Sequence, residues 1–361
     1  MTGSFSAYWR DLASGKRKGI AGRLLIILLA PFSMLYSLVQ RLRAILFSLG
    51  ILRSRKLPRP VVSVGNITVG GTGKTPVTAY IAHWLLQQGY RVAVLSRGYG
   101  GSLEGQSVVA SDGATVMLSP EECGDEPYLL ASTIPGLMLV IGTDRYAAGQ
   151  LAMQQLNPDV FLLDDGFQHL RLQRDLNIML LDHSHPYGNG WTLPGGLLRE
   201  PVSAGKRADL IIHTRSPRNF PEVELPDDIP TCFAHHRIKE LLPLSGGDPI
   251  ALPSHSPRKA LAFAGIAEPS GFFDELRSLG FDLVDTIRFP DHTTYTENEL
   301  AIIRNSMLRN GVEIAITTEK DGVKLKHLSN NDRITIMLAR LELIINEPAL
   351  LLNHLRNLLQ K

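Results

Sequence analysis

Val61–Pro76 reads VVSVGNITVGGTGKTP. An apolar run from Val61 to Val64 breaks into a loop with glycines at 65, 70, 71 and 73, then Lys74 and Thr75, then a helical pattern over Val77–Gln88. Strand, glycine loop, Gly-Lys-Thr and helix are the parts of a phosphate cradle. Glycines let successive backbone N–H groups turn inward on a phosphate, and the helix N-terminus adds its partial positive charge. A lysine at position 74 can reach between β- and γ-phosphates, and the Thr75 hydroxyl suits Mg²⁺. The expected nucleotide-binding residues are therefore Thr68, Val69, Gly70, Gly71, Thr72, Gly73, Lys74 and Thr75. Thr68 stands where the usual pattern has its first glycine, which leaves the loop's flexibility to Gly70 and Gly71.

The chain has 361 residues, of which 44% are hydrophobic and 20% charged, the composition of a folded protein with room for two α/β domains. Cys123 and Cys232 lie far apart in no metal-ligand spacing, so neither a disulfide framework nor a zinc site is expected, which fits a reducing cytoplasm. Net charge is +2 overall, but residues 1–60 hold eleven Lys or Arg against one acid, a balance of +10, so the rest of the chain carries −8. That division points to an anionic membrane surface as partner of the N-terminus, and not to nucleic acid.

Between Arg23 and Arg41 lies LLIILLAPFSMLYSLVQ, seventeen residues without a charge. A spanning helix needs about 20 apolar residues, and Pro31 would kink this one. Basic residues flank it on both sides, whereas a spanning segment gathers them on one. An interfacial helix is the favoured expectation, ahead of a single span or a buried core helix.

After the cradle, apolar runs alternate with helical patterns. The run Asp159–Leu163 ends in paired acids, Asp164 and Asp165, placed to reach a Mg²⁺ shell from a neighbouring strand; which of the two does so stays open. The expected organisation is a membrane-associating segment over 1–60, a P-loop core over 61–215, a linker over 216–258, and a smaller α/β domain over 259–361 that closes the cleft. In sum, the fold class is α/β, with a P-loop NTPase-like, mostly parallel sheet, a second smaller α/β domain and an N-terminal membrane-associated helical segment.

Seven motifs occur in order: GNITVGGTGKTP, SRGYGG (Ser96–Gly101), GDEP (Gly124–Pro127), DDGFQH (Asp164–His169), GLLREP (Gly196–Pro201), FPDH (Phe289–His292) and TTEKD (Thr317–Asp321). Together they resemble the tetraacyldisaccharide 4′-kinases, the lipid A 4′-kinases of Gram-negative bacteria, from the N-terminus to about Asp321. The resemblance implies transfer of the ATP γ-phosphate, with Mg²⁺, to the 4′-hydroxyl of a tetraacylated disaccharide 1-phosphate, at the cytoplasmic face of the inner membrane. It further implies that Lys74 and Thr75 serve phosphate and metal, that Asp164 and Asp165 are the acidic pair, and that Asp125 and His292 activate the attacking hydroxyl. Gln168, His169, Arg145, Arg199 and Glu200 correspond to polar positions lining the site. Without the resemblance, His292 reads as a surface or satisfied histidine in the turn after Pro290. A membrane-docked P-loop ATPase switch is the competing reading; it leaves the second domain's Asp-His turn without a purpose.

Overall fold

β1 (Val61–Gly65) is buried at every position, because alternate side chains serve different cores: Val62 and Val64 face one, Val61 the other. A strand covered on both faces needs such an unbroken apolar run. The same holds for β2 (Val92–Ser96), β4 (Met138–Ile141) and β5 (Val160–Asp164). The computed structural model describes residues 8–9, 11–15, 19–220, 229–250, 252, 258–291, 293–325 and 335–360. Among these, β3 (Val108–Asp112), β6 (Leu176–Asp182), β7 (Leu210–Thr214), β8 (Thr231–Pro243), β9 (Arg258–Ala264), β10 (Phe281–Arg288), β11 (Ile314–Thr318) and β12 (Thr335–Ile345) complete one sheet. Its order is β10-β9-β11-β12-β8-β7-β6-β1-β5-β2-β4-β3, parallel except for the β3–β4 and β8–β12 pairs.

The 216–258 stretch expected as a linker contains β8, thirteen residues long. β8 runs parallel to β7 through residues 231–233 and antiparallel to β12 from Ala234 to Pro243, which stitches the two halves into a continuous sheet. Its alternation is broken by His235, His236 and charged positions, so no clean period of two marks it.

Two helices at opposite ends of the chain use apolar surface differently. α1 (Ile20–Ser48) continues through Pro31 and is long and apolar enough to cross a membrane by length and composition. Leu24, Leu28, Leu35, Leu38, Leu42, Ile45 and Leu49 recur at helical spacing, each more than half exposed. A buried core helix is thereby excluded. What α1 turns inward is small or polar: Gly22 and Ser33 are its buried residues, and Ser33 Oγ accepts from Gly195 N at 2.9 Å.

Between the ends lie α2 (Lys74–Gln87), α3 (Pro120–Cys123), α4 (Asp125–Thr133), α5 (Arg145–Gln155), α6 (Ser270–Ser278), α7 (Glu297–Asn310) and α8 (Glu319–Leu325). The closing helix α9 (Pro348–Leu359) buries Leu351 and Leu355 completely, in the same cluster as Val62 and Val64 of β1. The chain's end thus packs on the P-loop half and not on the smaller half that precedes it.

Candidate active site

The cradle sits between β1 and α2. Gly73, the residue before α2, has φ of 75°, a left-handed conformation that costs glycine little. Gly65 ends β1 where a Cβ would meet Phe167 N at 2.7 Å, so only glycine lets the loop after β5 cross so near. Thr68 is absent from the left-handed region and needs no glycine. Its entry segment is instead pinned by pairing: Val69 N donates to Leu197 O at 2.7 Å, and Arg199 N to Ile67 O at 2.7 Å. Asn66, buried, closes the turn by donating from Nδ2 to Thr72 Oγ1 at 2.8 Å and Thr68 Oγ1 at 3.2 Å.

Asp164 and Asp165 stand at the end of β5, next to β1, in contrasting surroundings. Asp164 is buried, and its Oδ1 accepts from Thr78 Oγ1 at 3.2 Å. Burial first, then the charges of Glu126 and Asp165, raise its pKa to about 7 against the pull of Lys74 and Thr78. Asp165, at φ of 55°, is forked by Arg199 through contacts of 2.8 and 2.9 Å, with Lys74 Nζ at 3.9 Å. Burial alone would raise this carboxyl; the Arg199 hydrogen bonds and Lys74 outweigh it and hold it at about 2. Arg199 also donates to Asn66 O, which accepts a further bond from Gln168 Nε2 at 2.7 Å.

Arg145, buried at the start of α5, feels both aspartates; burial nonetheless lowers it to about 10. Burial, then Arg145, depress His169 to about 3, so its ring is neutral near physiological pH. Glu200, expected to line the site, is buried against Arg207, which donates at 2.6 Å and lies over the Phe167 ring at 4.8 Å. It supports the wall behind the loop.

The second half reaches this site through α8. Lys324 Nζ lies 2.8 Å from Asp125 Oδ2 and donates to Thr293 O at 3.2 Å; Lys320 Nζ lies 3.4 Å from Glu126 and 3.5 Å from Asp291. GDEP, FPDH and TTEKD therefore meet through two lysines one helical turn apart. His292 lies outside the described residues. Asp321, fully buried, ties its own half together, accepting from Gly265 N, Tyr295 OH at 2.9 Å and Thr318 Oγ1 at 2.7 Å.

α1 completes the rim. Tyr36 OH donates to Arg199 O at 3.1 Å and Arg43 Nη2 to Gln168 O at 3.0 Å. Beside Tyr36, Leu29, Phe32, Leu35, Val39 and Pro194 line an apolar groove of about 620 Å³. Sequence reasoning missed Asn66, Thr78, Lys320, Lys324, Tyr36 and Arg43. Asn66 and Lys320 lie inside motifs already singled out, whereas Tyr36 and Arg43 carry no local signal.

As a metal site, the cradle offers hard oxygens: the Thr75 hydroxyl and the two carboxylates. These suit Mg²⁺, which takes one or two carboxylates and fills its shell with phosphate oxygens and water. Both Asp165 oxygens are already forked by Arg199, which leaves Asp164 the carboxylate with the less engaged oxygens.

A phosphate cradle on a parallel sheet, with a lysine and an arginine converging on a strand-end carboxylate, defines a P-loop phosphotransferase. The family model for tetraacyldisaccharide-1-P 4′-kinase (LpxK) matches residues 25–360. A tetraacyldisaccharide 4′-kinase of Pelobacter propionicus is 61% identical over 361 residues, covering 100% of both chains. That of Geobacter sulfurreducens is 54% identical over 328 residues, 90% of this chain and 92% of its own. The crystal structure of LpxK from Aquifex aeolicus in complex with ATP superposes with a TM-score of 0.75 at 33% identity, covering 93% of this chain and 99% of that one. The chain belongs to the tetraacyldisaccharide 4′-kinase family.

Proposed function

We propose that this protein moves the γ-phosphoryl group of ATP to the 4′-hydroxyl of tetraacyldisaccharide 1-phosphate, in lipid A biosynthesis at the cytoplasmic face of the inner membrane. The observation that carries the reading is the tie between α1 and the phosphate site: Tyr36 and Arg43 hold the backbone of Arg199 and Gln168. A helix with an exposed apolar stripe and a phosphoryl site thus form one rigid assembly, which suits an acceptor that is itself a lipid.

In this reading the nucleotide phosphates lie along residues 68–75, with Lys74 and Arg199 neutralising charge that develops on the transferred group. Thr75 and Asp164 would hold Mg²⁺, which when bound supplies further neutralisation of the phosphate oxygens. The acceptor's acyl chains follow the groove beside Tyr36. Its 4′-oxygen attacks the γ-phosphorus, the bond to the ADP oxygen breaks, and the hydroxyl proton passes to the Asp125 carboxylate, with His292 assigned to the same activating pair. Lys324 fixes the Asp125 carboxylate for that task while gripping the backbone next to position 292. The meeting of the two halves over the site limits water and hence idle hydrolysis.

The test is direct: purified protein in detergent, with Mg-ATP and tetraacyldisaccharide 1-phosphate, should yield a bisphosphorylated lipid. ATP binding without that product overturns the reading.

A further inference from the structure

A second cavity, of about 720 Å³, opens at the C-terminal foot of α1, between Phe47, Arg53 and Arg55 on one side and Asp144, Tyr146 and Arg171 on the other. Among the described residues none of the three arginines has a carboxylate partner. The one acid, Asp144, is engaged in capping α5, accepting from Tyr146 N at 2.9 Å and Ala147 N at 3.2 Å.

The backbones of Arg55 and Arg171 are held side by side, and Arg53 lines the same cavity. Arg55 N donates to Arg171 O at 2.7 Å and Gln173 N to Arg55 O at 2.8 Å, a short parallel bridge between the two segments. Ser54 Oγ reinforces it by donating to Leu170 O at 2.6 Å, and the Arg55 guanidinium lies over the Tyr146 ring at 5.0 Å. Like charges set side by side destabilise a folded chain unless an anion comes between them. Guanidinium groups bind phosphate oxygens through paired N–H donors, which makes a phosphate the fitting anion.

The surroundings say what carries that phosphate. Phe47, Leu52 and Tyr146 line the cavity too, so a ligand there has apolar neighbours as well as cationic ones. Phe47 lies one turn, roughly 6 Å, along α1 from Arg43, whose guanidinium holds Gln168. The cavity therefore shares the 166–173 loop with the phosphoryl site while standing apart from the nucleotide cradle.

We propose that this cavity is a second anion site, which takes the phosphate of a membrane-embedded lipid. The phosphate has two available sources, the acceptor's own 1-phosphate and the headgroup of an anionic phospholipid. The proposal rests on α1 lying at a membrane, and the experiment keeps the two ideas apart. Full-length protein and the variants Arg53→Gln/Arg171→Gln and Arg53→Gln are compared in two assays: co-sedimentation with phosphatidylcholine vesicles, with or without phosphatidylglycerol, and kinetics in neutral detergent micelles using acceptor with or without its 1-phosphate.

If phospholipid is the ligand, the double variant binds the mixed vesicles roughly tenfold more weakly, with unchanged affinity for neutral vesicles and unchanged KM. If the acceptor's phosphate is the ligand, KM for the phosphorylated acceptor rises roughly tenfold, KM for the acceptor lacking it stays put, and vesicle binding is unchanged. Wild-type behaviour in both assays overturns the site, as does an equal loss on neutral and anionic vesicles. Wild-type protein that binds neither vesicle refutes the membrane placement of α1, and the KM comparison then decides the site alone. The Arg53→Gln variant, altered only at an exposed position, serves should the double variant not fold.

Discussion

The two ends of the active site are built by different means. At the phosphate end, Lys74 begins α2, Asp165 follows β5 and Arg199 lies in a loop of the same half, and burial and charge set neighbouring aspartates on opposite courses, Asp164 up to about 7 and Asp165 down to about 2. At the end we assign to the acceptor, Asp125, the first residue of α4, pairs with Lys324, a residue of the other half. The first is a site within a fold; the second is a site between two parts of one. A loss at the phosphate end should therefore strike phosphate binding and transfer together, while a loss at the acceptor end should spare nucleotide binding.

The largest expected effect is at the phosphate end. Lys74→Ala or Arg199→Ala should lower kcat roughly 10³-fold, read by transfer of labelled phosphate to the lipid, since each removes a preorganised positive charge from the transferred group. Near-normal rates would erase the difference between the two ends. Asp125→Asn should cost on the order of 10²-fold in kcat with ATP affinity by calorimetry unchanged, the signature of a group that acts on the acceptor's proton. A matching loss of ATP affinity would place Asp125 at the phosphate end instead.

Lys324→Met sharpens the contrast further. It should reduce kcat roughly tenfold with KM for ATP unchanged, because it leaves Asp125 in place but without the cation that orients it. A loss of thermal stability with kcat unchanged would make Lys324 a strut and nothing more. The smallest effect concerns Asp164. Its folded-state pKa lies above that of a free carboxylate, so the folded chain binds a proton more tightly between about 4 and 7, and that contribution to stability is lost as pH rises through about 7. The Tm advantage of Asp164→Asn over wild type, without ligand, should therefore widen from about pH 5 to about pH 8. A gap that stays constant would mean that Asp164 ionises freely, as an exposed carboxylate does.

Much of the phosphate end was legible in the chain because its parts are local. The run VVSVGNITVGGTGKTP carries strand, turn and helix start within sixteen residues, and apolar Val160–Leu163 announces the acids that follow. The partner of Glu200 was not legible, because sequence order places it beside Arg199 while the backbone turns it toward Arg207. Lys320 and Lys324 escaped notice for a related reason: lysines four apart on a helix ordinarily read as a solvated face, and only packing against α4 gives them partners. β8 was hidden in a presumed linker, since histidines and charges interrupt its alternation and its pairing depends on β12, about a hundred residues downstream.

α1 and α9 mark the boundary between the two kinds of knowledge. Hydropathy alone marks residues 24–40 of α1 as an apolar helix, and Pro348–Leu359, PALLLNHLRNLL, repeats its leucines at helical spacing as well. Only the tertiary structure decided that α9 seals the core beneath β1 while α1 turns its leucines outward, because the direction a helix faces is set by whatever packs against it. The phosphate loop needed its own neighbours to be recognised; the union of Asp125 with α8 needed the whole sheet to bring it about.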